Sequence, residues 1–520
     1  MSFPLLTLIT FLPAVFAIIV LFLPNARIIK TWSIVTSFIP LILSIVLWVT
    51  FGNFGAPVGA GSYTEGPFDW IVLTAEPGKN IQYYLAVDGL SIPLIFLTTL
   101  LTTLGLWYSS KVINERVREF FFLFLLLETG MTGVFVSMDL FLFYVFWEIG
   151  LVPMYFLIGI WGHAEDRPQY SAIKFFLYTL AGSVFMLLAI IAIYLNQQTF
   201  SIPTLMLPTR HPFMADSGLA AFAFFGFFLA FSIKVPLFPF HTWLPDAHTA
   251  APTAGSVVLA GILLKLGTYG YVRILMPMFP TVFQQWAPFI AILATISIVY
   301  GALVAMAQTD FKRLIAYTSV NHMGFVILGL AAAAWNFPLA KDAKNAADIV
   351  TSAAIAMNGA TLEMFAHGVI TGALFFLVGM LYERTHTRDL TVFGGLGAKV
   401  PTYAALLILA VFASLGLPGL ASFVAEFMIF RGAYALITVA IVAIAIFGVL
   451  FNAALFLWKV IQKVLLGTAN PKWAGLADLH GYEVWTLAPL AALMIVIGLY
   501  PQWLIDTINA ASMQILSIIK

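Results

Sequence analysis

Long apolar stretches alternate with short polar connections along nearly the whole chain. A run of roughly 20 apolar residues crosses a lipid bilayer as one helix, so this pattern predicts about fourteen transmembrane helices. The longest connections are expected at 53–85 and 335–361, and neither accommodates a soluble domain. The expected helix ranges are 3–23, 31–52, 86–109, 118–137, 140–160, 171–195, 218–247, 253–276, 285–307, 312–334, 362–382, 402–432, 434–460 and 485–508.

Two of the apolar stretches carry helix-breaking residues near their middle. Pro236 and Pro239 interrupt 218–247, and the segment 415–420, Leu-Gly-Leu-Pro-Gly-Leu, interrupts 402–432. Proline lacks a backbone donor and clashes with the preceding turn, and a break at membrane depth is tolerated only against protein or a cavity. Two interrupted spans in corresponding positions indicate internal repeats around a site at the membrane midplane.

These features, together with the family resemblance described below, predict an all-α polytopic membrane protein with two inverted five-helix repeats, each containing a broken helix. Because each repeat has an odd number of spans, the second repeat is inverted relative to the first. The expected divisions are 1–117 for helices 1 to 3, 118–276 for the first repeat, 285–460 for the second repeat, and 485–520 for the C-terminal helix.

Composition supports the membrane class and excludes several kinds of chemistry. Of the residues, 62% are hydrophobic and 9% are charged, whereas a soluble domain has about 25% charged residues. The absence of cysteine excludes disulfides, cysteine-ligated iron–sulfur clusters and covalently attached haem. A net charge of +1 suggests no nucleic-acid surface. The amino terminus has no basic region, and we expect it to be the first span.

The lysines and arginines of the connections predict the orientation of the chain. They are more numerous in the odd-numbered connections, where Lys111 and Lys312 lie, than in the even-numbered ones, to which we assign Arg273. Because short connections rich in lysine and arginine stay in the cytoplasm, both termini are expected on the non-cytoplasmic side.

Several ionisable residues lie inside the predicted spans, where a charge costs about 2.5–3.5 kcal/mol on insertion scales. Glu148 lies near the middle of the fifth span, and Lys234 lies just before the first break. We predict that Glu148 carries protons and that Lys234 tunes it; the alternative is a static ion pair that holds two helices together. His241 and His248 follow the break as secondary candidates, or as caps for freed carbonyl groups.

The second half of the chain carries a matching set of polar residues. Lys265 lies mid-span among glycines that permit close helix approach, and His322 and His367 lie in the tenth and eleventh spans. Histidine titrates near neutral pH, so each is a candidate proton relay; the alternative is a buried histidine whose hydrogen bonds are satisfied. Glu426 follows the second break, either as the last proton acceptor or as a partner for Arg431.

Three further polar residues are weaker candidates. Lys174, near the cytoplasmic end of the sixth span, either extends to the membrane surface or lies on the proton uptake route. Glu363 lies on the same helix face as His367, four residues before it, and the alternative to a role in the relay is a position at an interface. Glu128 lies midway along the fourth span, where it pairs with a neighbouring subunit or lines water; we assign it no role.

The segment from Lys234 to His248, Lys-Val-Pro-Leu-Phe-Pro-Phe-His-Thr-Trp-Leu-Pro-Asp-Ala-His, resembles the antiporter-like membrane subunits of respiratory complex I. Glutamate at position 426, where other antiporter-like subunits carry lysine, is similar to their subunit M branch. The resemblance covers nearly the whole chain and implies a proton-translocating membrane-arm subunit of NADH:quinone oxidoreductase. It also implies a polar axis in the order Glu148, Lys234, Lys265, His322 and Glu426, with Lys265 as the central relay.

The same resemblance implies that the driving reaction, quinone reduction, takes place in other subunits. FMN, iron–sulfur clusters and quinone would then belong to those subunits, and this chain would hold no cofactor or metal. The implied partners are the L-, N-, K-, J-, A- and H-type membrane subunits, the peripheral redox arm and the lipid bilayer. The implied location is an energy-transducing membrane, in particular the bacterial plasma membrane.

Other functions share these motifs and stay open at this point. One is a subunit of a multi-subunit Mrp-type cation/proton antiporter, which predicts Na⁺-dependent transport without a dehydrogenase partner. Another is the membrane subunit of a ferredoxin-dependent photosynthetic complex I or of a proton-pumping hydrogenase, which differs in its soluble partner. The last is a structural scaffold in which the charges form static pairs.

Overall fold

A computed structural model of the chain describes residues 4–51, 63–76, 78–207, 217–335 and 346–519. Within these residues, eleven helices are long and apolar enough to cross a membrane, and three shorter helices are apolar. The elements are α1 Leu5–Val20, α2 Ala26–Thr50, β1 Tyr63–Ile71, β2 Ile81–Val87, α3 Ser91–Val112, α4 Val117–Val136, α5 Leu140–Trp161, α6 Pro168–Gln197, α7 Ile202–Leu205, α8 Ser217–Lys234, α9 Trp243–Ala250, α10 Thr253–Met278, α11 Pro280–Ala307, α12 Phe311–Trp335, α13 Ala346–Thr385, α14 Pro401–Ser414, α15 Ala421–Leu436, α16 Val439–Leu465, α17 Gly481–Leu499 and α18 Gln502–Ile519.

The predicted class, a mostly helical polytopic membrane protein, is confirmed, whereas the number of fourteen spans stays a prediction. Both predicted helix breaks are present. The first separates the end of α8 at Lys234 from the start of α9 at Trp243, and the second separates Ser414 from Ala421. The division into two inverted repeats stays a prediction.

A β-hairpin replaces part of the connection predicted at 53–85. Strands β1 and β2 pair antiparallel, with Tyr63 opposite Val87, and residues 52–62 and 77 lie outside the described part of the chain. The hairpin caps α1, because the Glu65 carboxylate accepts hydrogen bonds from the backbone N–H groups of Leu6 at 2.7 Å and Thr7 at 2.9 Å. An acidic side chain thereby satisfies donors that the first helical turn leaves free.

Two predicted boundaries in the second half are wrong. Helix α13 begins at Ala346, so most of the connection expected at 335–361 is helical, and residues 336–345 lie outside the described part of the chain. Its first turns are rich in alanine, which favours helix even where the sequence is not apolar enough to indicate a span. The C-terminal helix expected at 485–508 ends at Leu499, because Pro501 cannot continue it, and α18 follows.

Three helices form the centre of the domain. The apolar segments of α10 and α13 are 100% buried within the chain and that of α12 is 94% buried, whereas the corresponding values for α2 and α16 are 39% and 33%. A peripheral helix exposes apolar side chains to lipid, but a central helix packs against protein on every side. The central helices can therefore carry polar groups away from lipid.

Candidate functional site

Lys265 lies at the centre of α10 and is fully buried. Its Nζ donates a hydrogen bond to the carbonyl oxygen of Ala260 at 2.7 Å and lies 2.6 Å from Nδ1 of His367 on α13. Ala260 belongs to a π-helical segment, Leu259–Leu263, and π-helical turns often occur at functional sites. The altered helix geometry places a backbone acceptor beside the lysine, so the amine is held between a carbonyl group and an imidazole.

His367 connects Lys265 to His322 on α12. The centroids of the two imidazole rings are 5.4 Å apart, and both residues are buried. Nδ1 of His322 shares a hydrogen bond with Oε1 of Glu363 at 3.0 Å, and its Nε2 lies 3.2 Å from Oγ of Ser414. Ser414 is the last residue of α14, so the second helix break supplies one partner of this histidine.

Glu426 on α15 completes this contact chain. Ser422 donates to Oε1 of Glu426 at 3.0 Å and also lies 3.2 Å from Oε2 of Glu363. Glycine at 416 in the break permits this arrangement, because its φ is +77° and a Cβ atom there would lie 2.8 Å from Oε2 of Glu426. No ion pair joins Glu426 to the exposed Arg431 within the part of the chain that the structure describes, which disfavours the alternative of a static partner.

Close packing of α13 against α15 brings the two glutamates together. A Cβ atom on Gly359 would lie 2.8 Å from the backbone nitrogen of Ile429, and one on Gly432 would lie 2.5 Å from that of Ala356. Small residues at these positions let the two helix backbones approach each other. The carboxyl groups of Glu363 and Glu426 consequently face the same serine.

Glu148 and Lys234, the two candidates of the first half, do not touch in this structure. Both are described, and no nitrogen–oxygen distance of 4.0 Å or less joins them, although they interact electrostatically. The Lys234 ammonium instead lies 5.2 Å from the ring centroid of Trp147 and 5.9 Å from that of Phe175, without a hydrogen-bond partner in the described chain. Cation–π contacts are worth about 2 kcal/mol when desolvated, and they are the contacts that the structure gives this ammonium group.

The secondary candidates occupy three different settings. The ring of His248 stacks on Phe375 with centroids 4.6 Å apart, and the imidazole interacts electrostatically with Lys265. His241 packs against the ring of Tyr300 with centroids 5.1 Å apart. Lys174 forms an ion pair of 2.7 Å with Asp246, so it is tied to α9.

Of the residues in the contact chain, Ser422 is not predicted from the sequence, and Glu363 is predicted only as a further polar residue of its span. Glu363 lies between His322 and Ser422, and Ser422 lies between the two glutamates. Helical spacing indicates that each lies on the same helix face as a candidate residue, since Glu363 precedes His367 by four residues and Ser422 precedes Glu426 by four. The contacts between α12, α13 and α15 are tertiary, and no local pattern predicts them.

Arg273 was wrongly assigned to a connection between spans. It lies inside α10, is 1% exposed, and its Nη2 forms an ion pair of 2.5 Å with Asp88, which is also 1% exposed.

Glu128 is fully buried within the chain, so a neighbouring subunit cannot reach it. Neither of its carboxyl oxygens has a hydrogen-bond partner among the described residues.

The contact chain is suited to moving a proton through an apolar interior. Lysine, histidine, serine and carboxylic acid each hold a proton at one atom and can exchange it across a hydrogen bond. From Lys265 through His367 and His322 to Glu363, Ser422 and Glu426, the neighbouring groups lie at hydrogen-bond distance except for the two histidines, whose rings are tilted by 53° with centroids 5.4 Å apart. The side-chain nitrogen or oxygen atoms of His322, Glu363 and Glu426 also lie within 4.8 Å of one another, and a histidine with two carboxylates is a set of ligands that could hold a metal cation.

Fold and site define a class of helical membrane proteins with broken spans and a buried axis of ionisable groups. Residues 137–340 and 347–452 match the family described as NADH:quinone oxidoreductase/Mrp antiporter, transmembrane, and residues 69–132 match NADH-ubiquinone oxidoreductase chain 4, amino terminus. The chain belongs to the family of NADH-quinone oxidoreductase subunit M.

Curated relatives and solved structures agree with this assignment. The chain is 38% identical to NADH-quinone oxidoreductase subunit M of Rhodobacter capsulatus, over 97% of this chain and 95% of the relative. It is 40% identical to the subunit M of Escherichia coli K12, over 92% and 91% of the two chains. A chain of respiratory complex I from Thermus thermophilus matches with a TM-score of 0.83 at 30% identity, covering 99% of this chain and 100% of that one.

The Mrp complex of Dietzia sp. DQ12-45-1b contains a chain with the same fold. It matches with a TM-score of 0.79 at 22% identity, and the alignment covers 98% of this chain and 52% of that chain. At this level of identity, the similarity establishes a shared fold only.

Proposed function

We propose that this chain is the proton-translocating membrane-arm subunit of an NADH-quinone oxidoreductase. The observation that carries the proposal is the buried contact chain from Lys265 to Glu426, which crosses from α10 through α13 and α12 to α15. An apolar interior tolerates such groups only when they pair, meet water or perform a function. The family supplies the reaction, because its curated members are named NADH-quinone oxidoreductase subunit M.

The first half of the axis acts as a switch in this proposal. Lys234 pairs with Glu148 in one state and rests on the aromatic rings of Trp147 and Phe175 in the other, which is the state of this structure. Moving a positive charge towards or away from the centre changes the proton affinity of Lys265. Quinone reduction in other subunits would drive the switch, and the proton would leave near Glu426.

The cofactors and partners follow from the same proposal. FMN, iron–sulfur clusters and quinone would lie in other subunits, and this chain would contribute ionisable side chains only. We propose that it contacts the other antiporter-like subunits and lies in the bacterial plasma membrane. Both termini would lie on the non-cytoplasmic side, because the odd-numbered connections are richer in lysine and arginine.

Alanine replacements of Glu148 and Lys234, each made alone in the assembled complex, test the function. We expect both variants to abolish NADH-driven proton uptake into vesicles, because each removes one charge of the switch. Arg431→Ala is the matched control, since Arg431 is exposed. Full pumping in both axis variants would refute the assignment, and transport that requires Na⁺ in place of protons would favour the antiporter alternative.

The scaffold alternative predicts a different result for a neutral double replacement. Glu148→Gln combined with Lys234→Met keeps the size of both side chains and removes both charges. A static ion pair can be replaced by neutral groups with little loss, whereas a proton switch cannot. We expect the double variant to assemble and to lose pumping.

A further inference from the structure

The hydroxyl group of Ser422 lies between two buried carboxyl groups. Its Oγ is 3.0 Å from Oε1 of Glu426, 3.2 Å from Oε2 of Glu363 and 3.4 Å from Oε1 of Glu363. Ser422 and Glu363 are fully buried, and Glu426 is 5% exposed. The serine therefore connects two acids on different helices.

The location of Ser422 explains why its hydroxyl group is available to the two acids. A hydroxyl side chain within a transmembrane helix commonly bonds to the carbonyl group four residues before it, as Thr361 does with Met357 at 3.0 Å. Ser422 is the second residue of α15, so no helical carbonyl group lies four residues before it. The helix break thus frees a hydroxyl group in the interior of the domain.

Counting hydrogen atoms shows that these contacts need an additional proton. A serine hydroxyl group donates one hydrogen, and an ionised carboxylate only accepts. Ser422 can donate to one glutamate, so its contact with the other is a hydrogen bond only when that carboxyl group is protonated and donates to Oγ. Two carboxylates this close in an apolar interior also cannot both stay ionised, and the shared proton removes that repulsion.

We propose that Ser422 and Glu363 are relay residues that pass a proton from His322 to Glu426. In the relay step, the O–H bond of protonated Glu363 breaks and its proton binds Oγ of Ser422. The O–H bond of Ser422 breaks at the same time, and that proton binds the Glu426 carboxylate. The hydroxyl group then rotates back, and Glu363 takes a new proton from His322, 3.0 Å away.

This inference rests on the proposed function, since it supplies one step of proton translocation. It adds two groups to the axis implied by the family resemblance, in which Glu426 follows His322. The direct distance between Nδ1 of His322 and Oε1 of Glu426 is 3.7 Å, longer than each distance along the relay. The geometry accordingly favours transfer through the intervening acid and the hydroxyl group.

Replacements at position 422 test the relay in the assembled complex. We expect Ser422→Ala to lower the rate of NADH-driven proton pumping by at least about tenfold, because a positioned acid–base group contributes roughly 10²–10⁴-fold. Ser422→Thr keeps the hydroxyl group and should retain most of the pumping rate. Ser137→Ala is the matched control, since Ser137 is a buried serine that bonds to a backbone carbonyl group.

Infrared difference spectroscopy gives a readout that does not depend on turnover. The complex should show a carbonyl stretching band of a protonated carboxylic acid, and this band should disappear in Glu363→Gln. In Ser422→Ala or Ser422→Cys it should move to higher frequency, because the acid loses its hydrogen-bond acceptor. A spectrum without any protonated acid assigned to this pair would overturn the relay, even where Ser422→Ala fails to assemble.

The two proposals fail in different ways. If Lys234→Ala abolishes pumping but Ser422→Ala pumps at the rate of the unaltered complex, the relay is wrong and the proposed function stands. If Lys234→Ala and Glu148→Ala both pump fully, the proposed function itself is wrong. Loss of pumping in Ser422→Ala and its recovery in Ser422→Thr would support both.

Discussion

Replacing Arg273 with alanine should destabilise this domain far more than replacing an exposed arginine. The Arg273 guanidinium pairs with the Asp88 carboxylate at 2.5 Å and donates from Nε to the hydroxyl oxygen of Tyr269 at 3.1 Å. Asp88 also accepts the backbone N–H of Leu90 at 2.9 Å, at the start of α3. Tyr269 donates to the carbonyl oxygen of Phe135 at 3.0 Å, so the network joins α3, α4 and α10.

The expected magnitude follows from what the replacement leaves behind. Both charged groups are 1% exposed, so Arg273→Ala leaves a carboxylate buried without its counter-charge. Breaking a buried pair in this way costs about 3–5 kcal/mol. Since each 1.4 kcal/mol is a factor of ten, the equilibrium between folded and unfolded domain should shift by roughly a hundredfold to a few thousandfold. The double variant Asp88→Asn with Arg273→Met removes both charges and should lose much less.

Heating the purified complex and following its assembly on a native gel measures the effect. We expect the midpoint temperature to fall sharply for Arg273→Ala and to recover substantially in the double variant. Arg431→Ala is the matched control, because an exposed arginine should change stability by no more than about 0.5 kcal/mol. If Arg273→Ala melts together with this control, the argument from the buried charge is wrong.

Three further predictions concern other parts of the chain. Gly416→Ala should abolish pumping because its Cβ atom would displace Glu426, whereas Gly419→Ala, with φ of +96° but only one contact at 3.9 Å, should cost stability and spare pumping. Burial and two nearby cations lower the pKa of His163 to about 3, so the folded state binds fewer protons than the unfolded one. Stability should therefore fall as the pH is lowered from about 6.5 towards about 3, with a smaller fall in His163→Phe. Glu128→Met should raise the melting midpoint with unchanged pumping, because an unpartnered buried carboxyl group costs about 1–3 kcal/mol; a loss of pumping would contradict this.

The spans and both helix breaks could be predicted because their causes are local. An apolar stretch of sufficient length determines a span, and Pro236 with Pro239 prevents α8 from continuing beyond Lys234. The residue types of the candidate site were equally visible, since ionisable groups such as Lys265 and His322 are rare in apolar segments. In each instance the physical reason lies within a single apolar segment of the sequence.

The missed features depend on contacts between distant residues. Arg273 near the end of a span has the same sequence pattern whether it faces the membrane surface or a buried carboxylate, and its partner lies 185 residues away in the sequence. The role proposed for Ser422 likewise depends on its contact with Glu363, which lies on another helix. The start of α13 is not evident from the sequence because polar residues interrupt its apolar pattern; one of them, Asn358, donates a hydrogen bond to Asn509 of α18 at 2.7 Å.

The second helix break has a chemical consequence beyond interrupting a span. Within a continuous helix, hydroxyl side chains commonly bond to the backbone of their own helix, as Thr295 does with the Ala291 carbonyl group at 2.8 Å. Ser414 is the last residue of α14 and Ser422 is the second residue of α15, and their hydroxyl groups contact His322 and the two glutamates. A break placed between two serines thus supplies hydroxyl groups to an interior where water is scarce. Restoring a continuous helix here would remove these contacts even if every ionisable residue were kept, so the proposed relay depends on the helix break as well as on the ionisable residues.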